Sequence, residues 1–163
     1  MDNTNLTLTE YRRANIYELA DIERAVKGKI YPAGCTLIPL SAATSTPNKL
    51  TTEEGEIETR YAVVQPHINV NPAYLFAIIE REYPHFKAKY MTTINLQFGQ
   101  LKNLEVEYHT NKKTQDRIAE LLEAAEKLSK KEKQVIERLK KEKAYFCGTM
   151  FTINDQKGGN TND

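Results

Sequence analysis

The chain has 163 residues, of which 40% are hydrophobic and 28% are charged, so it is long enough for one domain with a hydrophobic core. No run of about 18 apolar residues is present, which excludes a transmembrane helix, and the polar start MDNTNLTLTEYRR lacks the apolar segment of a signal peptide. We therefore expect a cytoplasmic protein without a membrane partner. The net charge of +1 neither indicates nor excludes a nucleic-acid partner, because a balanced total can include a locally basic face.

The N-terminal part predicts a short helix. Residues 1–10 show no apolar period, and we expect them to lie loosely on the surface. Asn15 and Glu18 fit a capping box, and the apolar residues that follow predict a brief helix over about 15–24. Gly28 ends this unit.

The middle of the chain alternates predicted strands with turns. Pro32–Gly34 predicts a turn, and residues 44–56 predict a polar loop. Asn71 is a suitable N-cap with Pro72 at the first helical position, and the helix that they begin is expected to end before Pro84. Clusters of β-forming residues predict strands over Cys35–Leu40, Ile57–Gln65, Thr92–Gln97 and Leu104–Tyr108.

The last third predicts one long amphipathic helix. From Thr114 to about Phe146 there is no Gly or Pro, and strong helix formers dominate. A helix of about 32 residues would be roughly 48 Å long, and Glu132 interrupts its apolar face. The three-and-four spacing of a coiled-coil seam is seen at Ile118, Leu121, Leu122, Ala125, Leu128, Val135, Ile136, Leu139 and Phe146.

The predicted fold class is α+β, with a small body over residues 1–110, a long coiled-coil helix over 111–151 and a disordered tail over 152–163. A bare apolar stripe is unfavourable in water, and the sequence offers no second helix of this kind. We therefore expect the helix to pair between chains. The expected dimer interface consists of Ile118, Leu121, Leu122, Ala125, Leu128, Val135 and Leu139.

No residue pattern predicts catalysis, a cofactor or a metal. Asn71-Pro72-Ala73-Tyr74 is close to the N-P-P-Y signature of amino-methyltransferases, but a glycine-rich loop for S-adenosylmethionine is missing, and we interpret it as a helix start. The three histidines, His67, His85 and His109, lack ligand spacing. Cys35 and Cys147 are expected to be buried reduced thiols. The chain is therefore predicted not to be an enzyme.

One segment combines basic and aromatic residues. In YPHFKAKYMTT, the lysines are suited to DNA phosphates, although exposed lysines at a helix end explain them equally well. The amides that follow are able to read adenine edges, and they are also ordinary loop residues. The candidate DNA contacts are Lys87, Lys89, Thr93, Asn95, Gln97, Gln100 and Lys102.

Three stretches, taken in order, resemble one family. Residues 33–42, AGCTLIPLSA, are similar to the G-D-I-L-I-x-x-S-G strand of target-recognition domains in type I restriction–modification specificity subunits. Residues 64–75, VQPHINVNPAYL, are similar to the family's strand followed by x-P-x-Y-L. Residues 101–106, 115–122 and 143–151 (LKNLEV, QDRIAELL and KAYFCGTMF) are similar to its last strand, the start of its coiled coil and the end of that coiled coil.

The resemblance implies a DNA-recognition module. Family members carry two target-recognition domains joined by two long antiparallel helices, read a split DNA site and dock methyltransferase subunits. One body and one helix imply a half subunit that forms an antiparallel homodimer and binds double-stranded DNA and a methyltransferase. Residues 27–34 are much shorter than the corresponding family segment, and 144–147 replace its lysine-rich pattern. An adaptor or regulator that docks a methyltransferase or an intact specificity subunit is therefore the alternative.

Overall fold

The computed structural model describes residues 10–91 and 93–157, with side chains described through Thr149. Strands and 3₁₀ helices precede and follow a 19-residue helix, and a much longer helix comes last. The elements in chain order are β1 (Tyr11–Asn15), a first 3₁₀ helix (Ile16–Glu18), β2 (Ala20–Arg24), β3 (Ile30–Tyr31), β4 (Thr36–Pro39), β5 (Lys49–Leu50), β6 (Gly55–Glu56), β7 (Tyr61–Pro66), α1 (Pro72–Tyr90), a second 3₁₀ helix (Phe98–Asn103), β8 (Glu105–His109) and α2 (Lys112–Lys157).

The strands form one antiparallel sheet of four strands and two separate pairs. The sheet has the order β2-β7-β4-β5, so β7 lies between β2 and β4, and Val64 is opposite both Ile22 and Thr36. Strand β1 pairs with β8, and β3 pairs with β6, both antiparallel. The predicted mixture of helix and strand with a long final helix is therefore confirmed.

The strand β7 separates two hydrophobic clusters. Successive residues of a strand point to opposite faces of the sheet, and here both faces are buried. Ala62 and Val64 belong to the main core, whereas Tyr61 and Val63 belong to a smaller cluster with Cys35. Burial on both faces explains why residues 61–64 of this strand are all apolar or aromatic instead of alternating with polar residues.

The main core lies against α1. Six buried side chains of this helix face it: Tyr74, Leu75, Ile78, Ile79, Tyr83 and Phe86. Most of their spacings are three or four residues, so they lie on one face of the helix. The pair β1–β8 adds Ala14, Val106 and Tyr108 to the same core. The middle of the body is therefore a helix packed on strands.

The predicted helix over 15–24 is wrong beyond its first turn. The capping box is confirmed, since Asn15 Oδ1 accepts from the Tyr17 N–H and Glu18 Oε1 accepts from the Asn15 N–H, both at 3.0 Å. It caps only three residues of 3₁₀ helix. The next segment is the strand β2, because its apolar residues Ala20 and Ile22 are two apart and pair with β7.

Helix α1 does not end before Pro84. It continues to Tyr90 with Pro84 inside it, because burial of Phe86, two residues later, stabilises the final turns. The proline removes one backbone donor from the helix. Asn71 is the N-cap as predicted, and its Oδ1 accepts from the Tyr74 N–H at 3.0 Å.

Three further predictions need correction. The predicted loop over 44–56 contains the short strands β5 and β6. Residues 93–95 form bends and 96–97 are irregular instead of a strand, with the Leu96 N–H bonded to the Leu40 carbonyl, and Thr92 lies outside the described residues. Cys35 is buried as predicted, but Cys147 is exposed on α2.

Helix α2 has 46 residues and is therefore about 69 Å long at about 1.5 Å per residue. It includes residues 152–157, which had been expected to be disordered; residues 158–163 of that expected tail lie outside the described part. The chain divides into one compact unit that ends at Glu120 and a second that begins at Leu121. In the described part of the chain, no helix is both long and apolar enough to span a membrane.

The start of α2 is hydrogen-bonded to the body through a polar junction, formed by Asn71, Tyr74, His109, Gln115 and Asp116. Gln115 is only 1% exposed, and its Oε1 accepts from the Asn71 N–H while its Nε2 donates to the His109 carbonyl. Asn71 Nδ2 donates to Asp116 Oδ1 at 2.7 Å. The Tyr74 hydroxyl accepts from the His109 N–H at 2.8 Å. The junction connects α1, β8 and α2.

We expect Gln115→Ala to lower the free energy of unfolding by about 2–4 kcal/mol. The substitution removes the partners of one backbone donor and one acceptor, and each buried group left without a partner costs about 1–3 kcal/mol. Urea denaturation measures the change. Gln134→Ala, at an exposed position of the same helix, is the control and should change stability by less than about 0.5 kcal/mol. Equal effects of the two substitutions would contradict the role of the junction.

Candidate nucleic-acid interface

A basic cleft of about 310 Å³ lies between the second half of α1 and the strand pair β1–β8. Lys89 from α1 and Lys102 from the second 3₁₀ helix both line it, together with Arg13 and His85. The Lys102 backbone is fixed because its carbonyl accepts from Asn15 Nδ2 at 2.7 Å. The structure therefore brings together two of the predicted DNA contacts and adds two residues that were not among them.

The charge of the first cleft favours an anion. Three permanent cations, Arg13, Lys89 and Lys102, face two carboxylates, Glu82 and Glu105. Arg13 is paired with Glu105 at 2.9 Å, which neutralises that carboxylate locally. The two lysines remain the main positive groups, and an ammonium group beside a shallow cleft is suited to a phosphate.

A second cleft, of about 480 Å³, lies between α1 and the loop 44–48. Lys87 lines it and lies over the Tyr83 ring at 5.0 Å from the ring centroid, the distance of a cation–π contact. Asn48 Nδ2 donates to Glu80 Oε1 at 2.6 Å, which holds the loop against the helix. Burial raises the pKa of the Tyr83 hydroxyl, so this group stays neutral.

Lys87 and Lys89 lie on different faces of α1. They are two residues apart on a helix and therefore lie on nearly opposite sides of it, and each lines a different cleft. The polar loop beside Lys87, which includes Thr44, Ser45 and Thr46, was not among the predicted contacts. Its hydroxyl-rich sequence was visible but predicted only a loop.

Two of the predicted base-reading residues have structural roles. Asn95 Oδ1 accepts from the Ala42 N–H at 3.0 Å, and the Leu96 N–H donates to the Leu40 carbonyl at 2.9 Å. Thr93 Oγ1 donates to the Asn95 carbonyl at 3.2 Å. The hydrogen bond from the Ala42 N–H to Asn95 Oδ1 supports Ala42, whose φ of +49° is a left-handed conformation that alanine rarely adopts. Segment 93–97 and loop 40–46 are thus held together.

The remaining predicted amides lie on the second 3₁₀ helix. Gln97 is exposed at its N-cap position and makes no capping bond with its side chain. Gln100 Oε1 accepts from Asn103 Nδ2 at 2.9 Å, which occupies the acceptor half of that amide. Gln97 therefore has the more accessible amide of the two.

The histidines and Asn71 make ordinary structural contacts. The Tyr74 hydroxyl lies 2.9 Å from His109 Nδ1, and His67 Nε2 lies 3.5 Å from Asp21 Oδ1. Asn71 caps α1, in agreement with the interpretation of its motif as a helix start. Over residues 10–91 and 93–157, no group of three or more His, Cys, Asp or Glu side chains is placed to hold a metal ion.

Helix α2 carries an exposed apolar stripe within its own unit. Most members are about half exposed, for example Leu128 at 59% and Leu139 at 52%. The exposed stripe consists of Leu121, Leu122, Ala125, Leu128, Val135, Ile136, Leu139 and Phe146. Ile118, which had been predicted to be part of the dimer interface, instead packs against the main core, next to the buried Ala119.

No protein-family model matches the chain, and no curated protein matches it. Several solved structures, however, match this chain. The type I restriction–modification S subunit from M. genitalium matches with a TM-score of 0.60 and 14% identity, over 78% of this chain and 41% of that chain. The HsdS subunit from Thermoanaerobacter tengcongensis matches with a TM-score of 0.57 and 13% identity, over 78% of this chain and 40% of that chain.

A third matching chain comes from a structure that describes complex assembly and conformational transition of the type I R-M system. Its TM-score is 0.60 at 14% identity, over 72% of this chain and 38% of that chain. The chain has an S-subunit-like fold. It spans about two fifths of the length of the structures that it matches. This fold is the one that the resemblance of the sequence implied.

We expect Asn95→Ala and Asn95→Asp to differ in stability. Alanine removes the acceptor for the Ala42 N–H and should lower the free energy of unfolding by about 1 kcal/mol, whereas aspartate keeps an acceptor oxygen at that position. Urea denaturation and amide hydrogen exchange at Ala42 measure the effect, and exchange should accelerate only in Asn95→Ala. Equal exchange at Ala42 in both variants would rule out this role of Asn95.

Proposed function

We propose that the chain is a DNA-binding specificity component of a type I restriction–modification system, a half subunit that acts as a homodimer. In this proposal the body recognises one half of a split site on double-stranded DNA. Helix α2 pairs antiparallel with its copy and docks a methyltransferase subunit. The chain itself has no catalytic role and binds no cofactor.

One observation carries the proposal: a single body and a single long helix together match about two fifths of an S subunit. Two copies of such a unit account for most of one S subunit. A pair of identical units related by a two-fold axis is also the commonest closed assembly. The basic cleft at Lys89 and Lys102 supports the DNA part of the proposal, because phosphate binding needs such a surface.

The exposed stripe supports the dimer. Fully burying one leucine or valine side chain stabilises a complex by about 1.5–3 kcal/mol relative to leaving it exposed, and these side chains are about half exposed. A second copy of α2 would cover them by interdigitating the same residues. The helix pair must accommodate Glu132, whose charged side chain lies on the stripe and weakens the apolar contact near its centre.

We expect the pair of substitutions Leu128→Lys and Leu139→Lys to give monomers. In a dimer, each introduced lysine would lie among apolar side chains of the partner helix. Burying an unpaired ammonium group in this way is unfavourable. Light scattering on dilute protein measures the mass, and the parent should give a dimer of twice 18.7 kDa.

The control for this prediction adds the same charge outside the stripe. Glu137→Gln combined with Ala144→Lys raises the charge by the same amount at exposed positions of α2, and this variant should remain a dimer. A parent protein that stays monomeric at high concentration would be incompatible with the half-subunit proposal.

The dimer predicts a form of DNA site. Since each body directly precedes its helix in the chain, antiparallel pairing separates the two bodies. The preferred site should then be an interrupted palindrome whose spacer is not read. Phosphate contacts are assigned to Lys87, Lys89 and Lys102, and base contacts to Gln97 and to the amide groups of Asn95 and Gln100, with Thr93 beside them.

We expect Lys87→Ala and Gln97→Ala to have different effects on DNA binding. Loss of a phosphate contact should weaken binding to all duplexes alike and lower the salt slope by about one. Loss of a base-reading amide should relax preference at one position of the site, at a cost of about 1–3 kcal/mol for the preferred base. Binding measured against salt, followed by selection from random duplexes, separates the two effects. Enrichment of a continuous, asymmetric site would refute the split-site proposal.

A second candidate function is a non-reading adaptor or regulator. It is favoured by the internal use of two predicted base-reading amides, since Asn95 and Gln100 both accept hydrogen bonds from the chain itself. In that case α2 docks a methyltransferase or an intact specificity subunit without DNA recognition by the body. Failure to shift any duplex at low salt, together with co-purification of a methyltransferase subunit from the host, would support this candidate over the first.

A further inference from the structure

One flank of the exposed stripe on α2 is basic. We define the basic flank as Lys127, Lys131, Arg138 and Lys141, which are exposed and follow one another at intervals of four, seven and three residues. At 100° per residue these intervals keep the four side chains within one sector beside the stripe. Gln134 is the fifth residue of this sector, and between Lys127 and Lys141 the sector has no acidic member.

The opposite flank of the stripe is different. It carries Ser129 between Leu122 and Ile136, which form that edge of the stripe, with Lys133 and Lys140 further around the helix. Acidic residues of the sector that holds the basic flank, Glu120 and Glu123, lie N-terminal to Lys127, so the basic flank begins at Lys127. Within residues 127–141 the basic flank therefore has four cations, against two on the opposite side of the stripe.

Only part of the basic flank is neutralised by its own helix. Lys127 is paired with Glu123, and Arg138 is paired with Glu142 at 3.5 Å. Within the described residues, Lys131 and Lys141 have no acidic partner. Such exposed pairs are weak and are easily exchanged for another anion, so all four groups are available to a polyanion.

Antiparallel pairing doubles this charge. In an antiparallel pair with a two-fold axis, equivalent flanks of the two helices lie on the same side of the pair. With the axis near Val135, towards the middle of the stripe, Lys131 of one copy lies near Arg138 of the other, and like charges that face each other oppose pairing. The same two-fold axis places eight cations on one side of the helix pair, and an anion on that side would remove the repulsion.

We propose that the basic flank binds phosphates of the DNA spacer between the two half-sites, an inference that rests on the proposed antiparallel dimer. Lys127 and Lys141 are separated by about 21 Å along the helix axis at about 1.5 Å per residue. Duplex DNA carries one negative charge per about 1.7 Å, so about 12 phosphates lie in that length. The spacer is thereby held through its backbone, without base recognition.

The test compares two variants with the same change of charge on the same helix. Lys131→Gln with Arg138→Gln removes two cations from the basic flank. Lys133→Gln with Lys140→Gln removes two exposed cations from the other side of α2 and serves as the control. Each variant also loses one ion pair, Arg138–Glu142 or Lys140–Glu137, so the two are matched in that respect.

Three measurements are expected to separate the variants. The salt dependence of duplex binding should become shallower by about 3–4 in the flank variant, because each lost phosphate contact contributes about 0.9 and a dimer loses four. Ethylation of spacer phosphates should interfere with binding by the parent and the control, and much less with the flank variant. Without DNA, the flank variant should dimerise more tightly than the parent, since the repulsion is relieved.

The outcomes distinguish this inference from the proposed function. If the parent binds no duplex at all, the proposed function and the phosphate inference both fail. If the parent binds an interrupted palindrome but the two variants have the same salt slope and the same ethylation pattern, only the inference is overturned. Loss of a methyltransferase interaction by the flank variant, with its DNA binding intact, would likewise overturn it in favour of a protein partner.

Discussion

The hydrogen bonds around Gln115 are the constraint on which the arrangement of the body depends. A buried amide has both an acceptor and donors to satisfy, and here they are used by the backbone at the start of α1 and at the end of β8. The first turns of α2 are thereby part of the compact unit, with Ala119 in its core. The same bonds determine where the body ends and where the exposed part of the helix begins.

The two units of the chain solve different physical problems. The body buries its apolar residues within itself and leaves a cleft on each side of α1, of which the one at Lys89 and Lys102 is basic. The helix beyond Glu120 has no such core and carries its apolar residues on its surface. The proposed function assigns recognition to the body and assembly to the helix.

The sequence predicts those features that local chemistry decides. Asn71 followed by Pro72 begins a helix because both residues satisfy helix-start geometry without tertiary help, and the long run of helix formers in α2 behaves in the same way. The helix predicted after Glu18 was wrong because pairing with β7 overrides a local helix signal. The helix end predicted before Pro84 was wrong because packing of Phe86 outweighs the loss of one backbone hydrogen bond. The clefts were missed because they combine Arg13, Lys89 and Lys102, which are distant in the chain.

The position of β7 between two clusters has a consequence for the fidelity of folding. A strand that slips by one residue presents every side chain to the opposite face. In β7 such a slip would exchange Tyr61 and Val63 with Ala62 and Val64, so the smaller cluster would receive an alanine where it needs a tyrosine ring. The main core would receive a ring for which it has no room, and close-packed cores tolerate such changes poorly. Misregistered forms of this sheet are therefore excluded by volume on both faces at once, and a single inserted or deleted residue within this strand would be tolerated less than one in the loops on either side.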